Sequence, residues 1–411
     1  MATTTAPPLE SATTRPSKKD KEPKASFSDR WLNKQGWARR VPLLPALVFI
    51  IILTQIPFLA TLIISFMNWQ ANYPNEIAFG TLNNYVTVFT DPALRSSVFF
   101  TVLLTVTVVI VSLAMGLGIA LLLNRNFFGR GAVRTMMITP FLATLVISFM
   151  DWNAYYPDER GFAGFDNFVR VFTDVNMRDA VWTTILLTAG VVLISVVLGL
   201  GIALLLDRKF RGRGAVRTMM IAPFLVVPVA AALIWKHALY NPEYGLFNGA
   251  LTWIWGIFGS DNPPQPDWIS NAPLWSVIFA LVWQWTPFMM LILLAGLQGR
   301  PLDVIEAARI DGANGWQIFR SMTLPHLRQY LELGALLGSI YIVQNFDAVF
   351  TITSGGLGTA NLPYTIYQIF YNAHDYGRAS AAAVVVVIGT IIIATFALRT
   401  VSSLFKEDSG R

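Results

Sequence analysis

"EAARIDGANGWQIFRSMTLP", Glu306 to Pro325, is polar and rich in small residues, yet it stands between two strongly apolar runs, Trp275 to Leu297 and Leu331 to Phe350. A helix crosses roughly 30 Å of hydrocarbon with about 20 apolar residues, and both flanks have that length. The stretch is therefore a connector at a membrane surface. Within the loop 298–330, Pro301 suits the first turn of a helix, Asp303, Glu306, Ala307 and Ala308 suit its body, and Gly312 suits a left-handed stop. A second helix is predicted over Gly315 to Thr323, carrying Trp316, Ile318, Phe319 and Met322, with Pro325 breaking it at the membrane. Small residues at Ala307, Ala308, Gly312 and Ala313 would let another protein approach closely. An interfacial hairpin that merely links two spans fits the same residues.

The rest of the chain agrees with a bilayer. Of its 411 residues 54% are hydrophobic and only 13% charged, with a mean hydropathy of +0.53; soluble domains carry about a quarter charged residues. Apolar runs long enough to span occur at 41–66, 98–123, 181–206, 219–235, 275–297, 331–350 and 381–398, and a shorter one at 135–150. The predicted fold class is an all-α polytopic membrane protein. Basic residues collect in alternate connectors: 124–134 holds three arginines and no acid, and 207–217 holds Arg208, Lys209, Arg211, Arg213 and Arg217. By the positive-inside rule these face the cytoplasm, and both termini then lie inside, which requires an even number of spans. Topology thus accounts for the net charge of +6 without a nucleic-acid partner. The chain has no cysteine, and His237, His326 and His374 are scattered, so no metal centre and no catalytic constellation is expected.

Three regions follow. Residues 1–40 form a basic tail whose first 26 residues are too poor in large apolar side chains to order themselves; Phe27 to Arg40 suits either a helix on the membrane surface or a plain basic flank. The membrane domain occupies 41–404, and a short tail occupies 405–411. Inside the domain "GRGAVRTMMI" stands at Gly129–Ile138 and again, letter for letter, at Gly212–Ile221, 83 residues on. The match is ungapped, giving tandem repeats 59–141 and 142–224, each with about two spans. The copies are parallel, unlike the inverted repeats of many secondary transporters. A recent duplication and an artefact of sequence assembly would both leave this trace.

The opening stretch resembles the EAA loop of the membrane-spanning permease subunits of bacterial ATP-binding-cassette (ABC) importers. Glu306, Ala307, Ala308, Asp311, Gly312, Ala313, Phe319, Leu324 and Pro325 carry that resemblance. "ALIWKHALYNPEYGLFN" (Ala232–Asn248), "VWQWTPFMMLILLAGLQ" (Val282–Gln298) and "NFDAVFTITSGG" (Asn345–Gly356) resemble the maltose-permease-type sugar and polyol subgroup. The resemblance implies a type I importer core of about six helices in the bacterial inner membrane, with the duplicated two-helix hairpin as an addition. It implies a coupling loop that docks on an ABC ATPase subunit dimer, together with a second permease subunit and an extracytoplasmic solute-binding protein. Since no phosphate-cradling G-x-x-x-x-G-K-[ST] occurs, no cofactor is expected on this chain and ATP would be bound by the ATPase.

Polar and aromatic groups inside apolar runs are the candidates for a substrate path, because burying a hydrogen-bonding side chain without a partner is costly. Gln284, Trp285 and Phe288 lie in one such run and Gln344, Asn345 and Asp347 in the next. By resemblance they would meet a sugar or sugar alcohol; hydrogen bonds between packed helices would use the same amides. The alternative function, an ion- or proton-coupled secondary carbohydrate transporter, should show acids or histidines in several spans, and only Asp347 and Glu332 come near.

Overall fold

In the two repeats, the same short-range chemistry produces the same local structure twice. The structure is a computed structural model that describes residues 55–70, 73–80, 82–124, 131, 139–208, 210, 212–259 and 262–406, all within the unit Phe49–Arg411. The expected tail 1–40, the start of the first span and residues 407–411 lie outside the described residues. The first copy runs α1 (Gln55–Ile64), β1 (Met67–Gln70), β2 (Tyr73–Phe79), α2 (Asn83–Thr90) and α3 (Pro92–Asn124). The second runs α4 (Thr139–Ser148), β3 (Met150–Asp151), β4 (Gly161–Phe162), α5 (Asp166–Thr173) and α6 (Val175–Asp207). Each hairpin is antiparallel, pairing Met67 with Phe79 and Met150 with Phe162. An asparagine clamps each: Asn84 Nδ2 donates to Ser65 O at 3.0 Å and Met67 O at 2.9 Å, and Asn167 Nδ2 to Ser148 O at 3.1 Å and Met150 O at 2.8 Å. Asp91 and Asp174 accept from Ala93 N and Asn176 N at the starts of α3 and α6, satisfying otherwise orphaned amides. The copies differ in surroundings: Asn167 and Ser148 are buried, while α3 has no buried residue at all.

After the repeats come α7 (Arg213–Leu225), α8 (Pro228–Leu233) with a π-helical turn Ile234–Leu239, α9 (Leu246–Ile257), α10 (Trp268–Asn271) and α11 (Pro273–Gln298). Then follow α12 (Leu302–Ile310), α13 (Gly315–Ile318) with a π turn Phe319–Thr323, and α14 (Leu324–Val343). The last elements are α15 (Asp347–Ile352), α16 (Leu362–Tyr367) with a π turn Gln368–Asn372, and α17 (Tyr376–Lys406).

Helices α6, α11 and α14 form the centre, and glycines let them meet. A Cβ on Gly199 of α6 would stand 2.8 Å from Met289 Cβ and 2.9 Å from Met290 N of α11, so the crossing tolerates no side chain there. On the other side of Met289, a Cβ on Gly338 of α14 would meet its Cε at 2.4 Å. Leu187, Val191, Leu281, Ile342 and Val349 bury one part of this core, and Leu206, Met290, Leu293, Leu297 and Leu327 another. A third cluster seats α17 on the second copy through Val171, Met177, Ala379 and Ala382.

Several sequence expectations are corrected. The run 219–235 is not a straight span but the pair α7 and α8, bent by 92°. Pro223 lies inside α7, Pro228 opens α8, and Val226 and Val227 between them are extended. The run 331–350 is likewise interrupted, α14 starting early at Leu324 and ending at Val343 before α15 begins. Pro325 does not end the helix: α13 continues through the π turn Phe319–Thr323 into α14, whose first turn holds Pro325. Pro301 is the N-cap of α12 and not its first residue. Among the described residues, three helices, α3, α6 and α11, are long and apolar enough to cross a bilayer, or four counting the bent pair, and Gln55–Ile64, Leu246–Ile257 and Tyr376–Ile392 are shorter apolar helices; the start of the first of the eight expected spans lies outside the described residues. The short apolar helix α9 was not anticipated.

Candidate functional site

The loop between α11 and α14 is braced by a small core of its own. α12 stops because Gly312 takes a left-handed φ of 87°, closed by Ala313 N on Ala308 O at 2.9 Å and Asp311 N on Ala307 O at 3.0 Å. α13 starts with a capping box in which Asn314 Oδ1 accepts from Gln317 N at 2.9 Å and Gln317 Oε1 from Asn314 N at 2.8 Å. Ile305, Ala308 and Ile318 are buried between the two helices, with Ala313 and Met322 packed on them. Ala308 and Ala313 thus face inward, and their smallness serves the packing of the loop itself. Glu306, Ala307, Asp311, Gly312 and Pro325 are exposed and Phe319 half-buried. Large apolar side chains share the exposed side: Ile310 is 86% and Trp316 67% exposed, and Trp316 stacks on Phe319 with centroids 5.6 Å apart.

Arg300, which sequence reasoning passed over, fastens the loop to the bundle. Its Nε donates to Leu297 O at 2.9 Å, Nη1 to Thr323 Oγ1 at 3.1 Å and Nη2 to Asp207 Oδ2 at 2.5 Å. One guanidinium therefore joins the end of α11, the end of the loop's second helix and the end of α6. The planar fork of arginine suits three diverging acceptors as an ammonium would not. Nothing in the "GRPL" surrounding it marks the role, which depends on a partner 93 residues away.

The substrate-path candidates separate into two groups. Trp285 packs against Phe224 (5.6 Å), Phe288 (5.6 Å) and Tyr341 (5.3 Å), forming an aromatic cluster on α7, α11 and α14 in which Tyr341 is exposed and the other three are half-buried. Gln344, one turn beyond Tyr341, is exposed at the end of α14. Gln284, by contrast, is buried and donates from Nε2 to Val226 O at 3.1 Å, bracing the bend between α7 and α8. Asn345 lies in the break after α14; its backbone oxygen accepts from Asn361 Nδ2 at 2.6 Å and its Oδ1 from Ala348 N at 3.3 Å. Asp347 opens α15 and is half-buried. Phe224 and Tyr341 were missed because their pairing crosses elements far apart in sequence.

A bent span pair, glycine helix crossings and a two-helix loop with its own core can be set against known proteins. A family model described as "Binding-protein-dependent transport system inner membrane component" matches residues 195–404, from mid-α6 through the loop to α17. The chain belongs to that family. It is 34% identical over 255 residues to the trehalose/maltose transport system permease protein MalF of Thermococcus litoralis, covering 61% of this chain and 83% of that one. To the osmoprotective compounds uptake permease protein GgtC of Synechocystis it is 35% identical over 259 residues, covering 61% and 88%. Among solved structures, a bacterial alginate ABC transporter in complex with alginate pentasaccharide-bound periplasmic protein matches with a TM-score of 0.55 at 20% identity, covering 65% of this chain and 89% of that chain, a likeness of fold. The protein is a membrane-embedded permease component of an ABC importer, and the secondary-transporter alternative is set aside.

Proposed function

We propose that this permease imports a sugar or sugar alcohol across the bacterial inner membrane, and that its loop 298–330 is the joint with a separate ATP-binding subunit. The carrying observation is the loop's construction: a rigid two-helix unit, braced inside by Ile305, Ala308 and Ile318, that presents Glu306, Asp311, Ile310 and Trp316 outward. Exposed apolar and acidic groups on a preorganised scaffold are what a docking knob needs. The positive-inside pattern supports a cytoplasmic side for this loop and for both termini. ATP would be bound by an ATPase dimer, a second permease subunit would complete the pore, and an extracytoplasmic binding protein would deliver substrate. ATP hydrolysis would move the spans only through differential affinity of the ATPase for their inward-facing and outward-facing states.

The substrate class rests on the names of the two relatives, which concern trehalose, maltose and osmoprotective compounds, and on Trp285, Phe288, Tyr341 and Gln344. Flat rings cover the CH faces of a sugar while an amide meets hydroxyls at its edge. The coupling role is tested by Glu306→Lys and Gly312→Trp, with Gly312→Asn as a control that tolerates the left-handed backbone. The first two should abolish uptake and loosen copurification of the ATPase with membrane insertion intact, and the control should retain both. Normal assembly and uptake in Glu306→Lys and Gly312→Trp would refute the joint.

A further inference from the structure

Helix α3 is the counterpart of α6, residue for residue, but no described residue buries any part of it. Between Thr184 and Ser195, α6 buries Thr184, Leu187, Thr188, Val191, Val192 and Ser195. All six have identical counterparts in α3, from Thr101 to Ser112, and every one is exposed there. Of the six residues that α6 leaves unburied in the same interval, only Leu186 has an identical counterpart, Leu103. The six buried positions are thus retained and the differences fall on positions that α6 leaves unburied, although two of these still make contact in α6: Ile194 packs on the core, and Gly190, where α3 has Thr107, closely approaches Ile278. Further along, Gly116 matches Gly199: a Cβ at Gly199 would strike Met289 and Met290, whereas among the described residues nothing lies within 4 Å of one at Gly116. A crossing-point glycine without a crossing helix has no local function, and in the middle of an exposed helix it costs stability.

We propose that α3 is a second, interchangeable occupant of the groove between α11 and α14, so that either copy of the hairpin can complete the permease core while the other stands in lipid. The structure names the occupant directly, since the same six side chains and the same glycine are what the groove already holds in α6. The helix left outside pays little for its position. Its apolar residues meet acyl chains, and its hydroxyls bond back into its own turns, Thr101 Oγ1 to Ser97 O and Thr105 Oγ1 to Thr101 O, each at 2.7 Å. Either arrangement sets aside one pair of spans, so downstream connectors keep their sides of the membrane.

The two ends of the helix choose between the copies. At one end α6 places Asp207 against Arg300, while α3 has Asn124, which lacks the charge. At the other end Met177, Ala180 and Thr183 are buried in α6, where α3 has Leu94, Ser97 and Phe100. Thr183 Oγ1 reaches Gly358 O at 3.4 Å, and Phe100 in that place would lose the bond and overfill the site. These differences hold α6 in the groove of the native chain.

The chain contains no cysteine, so disulfide trapping reads the arrangement in the full-length protein. A Cβ at Gly190 would lie 3.0 Å from Ile278 Cδ1 and 3.6 Å from its Cγ1, and with both side chains cut back to cysteine this approach is within reach of an engineered bridge. Gly190→Cys with Ile278→Cys reports α6 in the groove, and Thr107→Cys with Ile278→Cys reports α3. Exchanging the selecting residues (Leu94→Met, Ser97→Ala, Phe100→Thr and Asn124→Asp in α3, with Asp207→Asn in α6) should raise the 107–278 bridge and lower the 190–278 bridge, each by about tenfold, the change expected when one charge-assisted hydrogen bond moves between copies. The 107–278 bridge should form within one chain. Its absence from the exchanged protein while 190–278 still bridges would overturn the proposal, and so would a 107–278 bridge found only between two chains, which would make a second copy the occupant.

Discussion

Arg300 donates to Asp207 across 2.5 Å, with side chains only 14% and 25% exposed, and so binds the loop 298–330 to α6. The same guanidinium holds Leu297 O and Thr323 Oγ1, which places the rigid loop and the central helix on one fixed point. Motion delivered to Glu306–Pro325 therefore reaches α6 without passing through the whole of α14. Arg300→Ala and Asp207→Asn should each lower uptake, and each should lower thermal stability by about 1.5 to 3 kcal/mol, the range for a hydrogen bond to a charged group. The double variant should be little worse than Arg300→Ala alone, because that variant already removes the bond to Asp207 along with those to Leu297 O and Thr323 Oγ1. Additive losses in melting and uptake assays would show that the two residues act separately.

Gly199 and Gly116 occupy equivalent positions with opposite surroundings. Gly199→Leu should separate α6 from α11 and destabilise the protein by about 1 to 3 kcal/mol or more, as overpacking of a tight contact does. Gly116→Leu should leave the melting temperature unchanged or slightly raised, since leucine is the better helix former. Equal effects in the two variants, measured by thermal denaturation in detergent, would contradict the arrangement described for the native chain.

Gln284 and Gln344 look alike in sequence, an amide in each of two consecutive apolar runs, and the fold gives them different surroundings, Gln284 buried against Val226 O and Gln344 exposed. Gln284→Ala should lower protein level and melting temperature, since it leaves Val226 O at the bend without a bond worth about 0.5 to 1.5 kcal/mol. Gln344→Ala and Trp285→Ala should reduce uptake with the protein level maintained. Loss of uptake alone in Gln284→Ala would return that amide to the substrate path.

How much was legible varies with the range of the forces involved. The bounds of α6 and α11 follow from unbroken apolar runs, and the stop at Gly312 follows from one residue's freedom at positive φ. The repeat was plain as text, and the asparagine clamps at Asn84 and Asn167 show why both copies fold alike. Hydropathy averages over residues, so it passed across the bend at Val226–Val227 and the break at Gln344–Phe346, where two or three backbone conformations decide the outcome. Arg300 and Tyr341 were hidden for another reason: their partners are distant along the chain, and no local pattern encodes them.

Deleting residues 67–149 tests the repeat itself. The cut removes β1, β2, α2, α3 and α4 and joins Phe66 to Met150. The hairpin should re-form, because Asn167 then finds Ser65 O where Ser148 O stood, and Met150 stays seated on α17, where Gly377 leaves no space for a side chain beside Met150 O. That anchor draws α1 into the place of α4, which it can fill, since Pro57–Phe66 and Pro140–Phe149 differ only at Ile63 and Val146. Leaving its present position costs α1 the bond from Gln55 Nε2 to Met219 O, 3.1 Å in the full-length chain. Two spans are lost together, so every later connector keeps its side of the membrane. The shortened permease should therefore support ATP-dependent uptake in cells lacking the native gene. Gln55→Ala should lower the melting temperature of the full-length protein and leave that of the deletion unchanged, a non-additivity that reports the shift of α1. A deletion that inserts and melts normally yet transports nothing would mean that the added spans form part of the path.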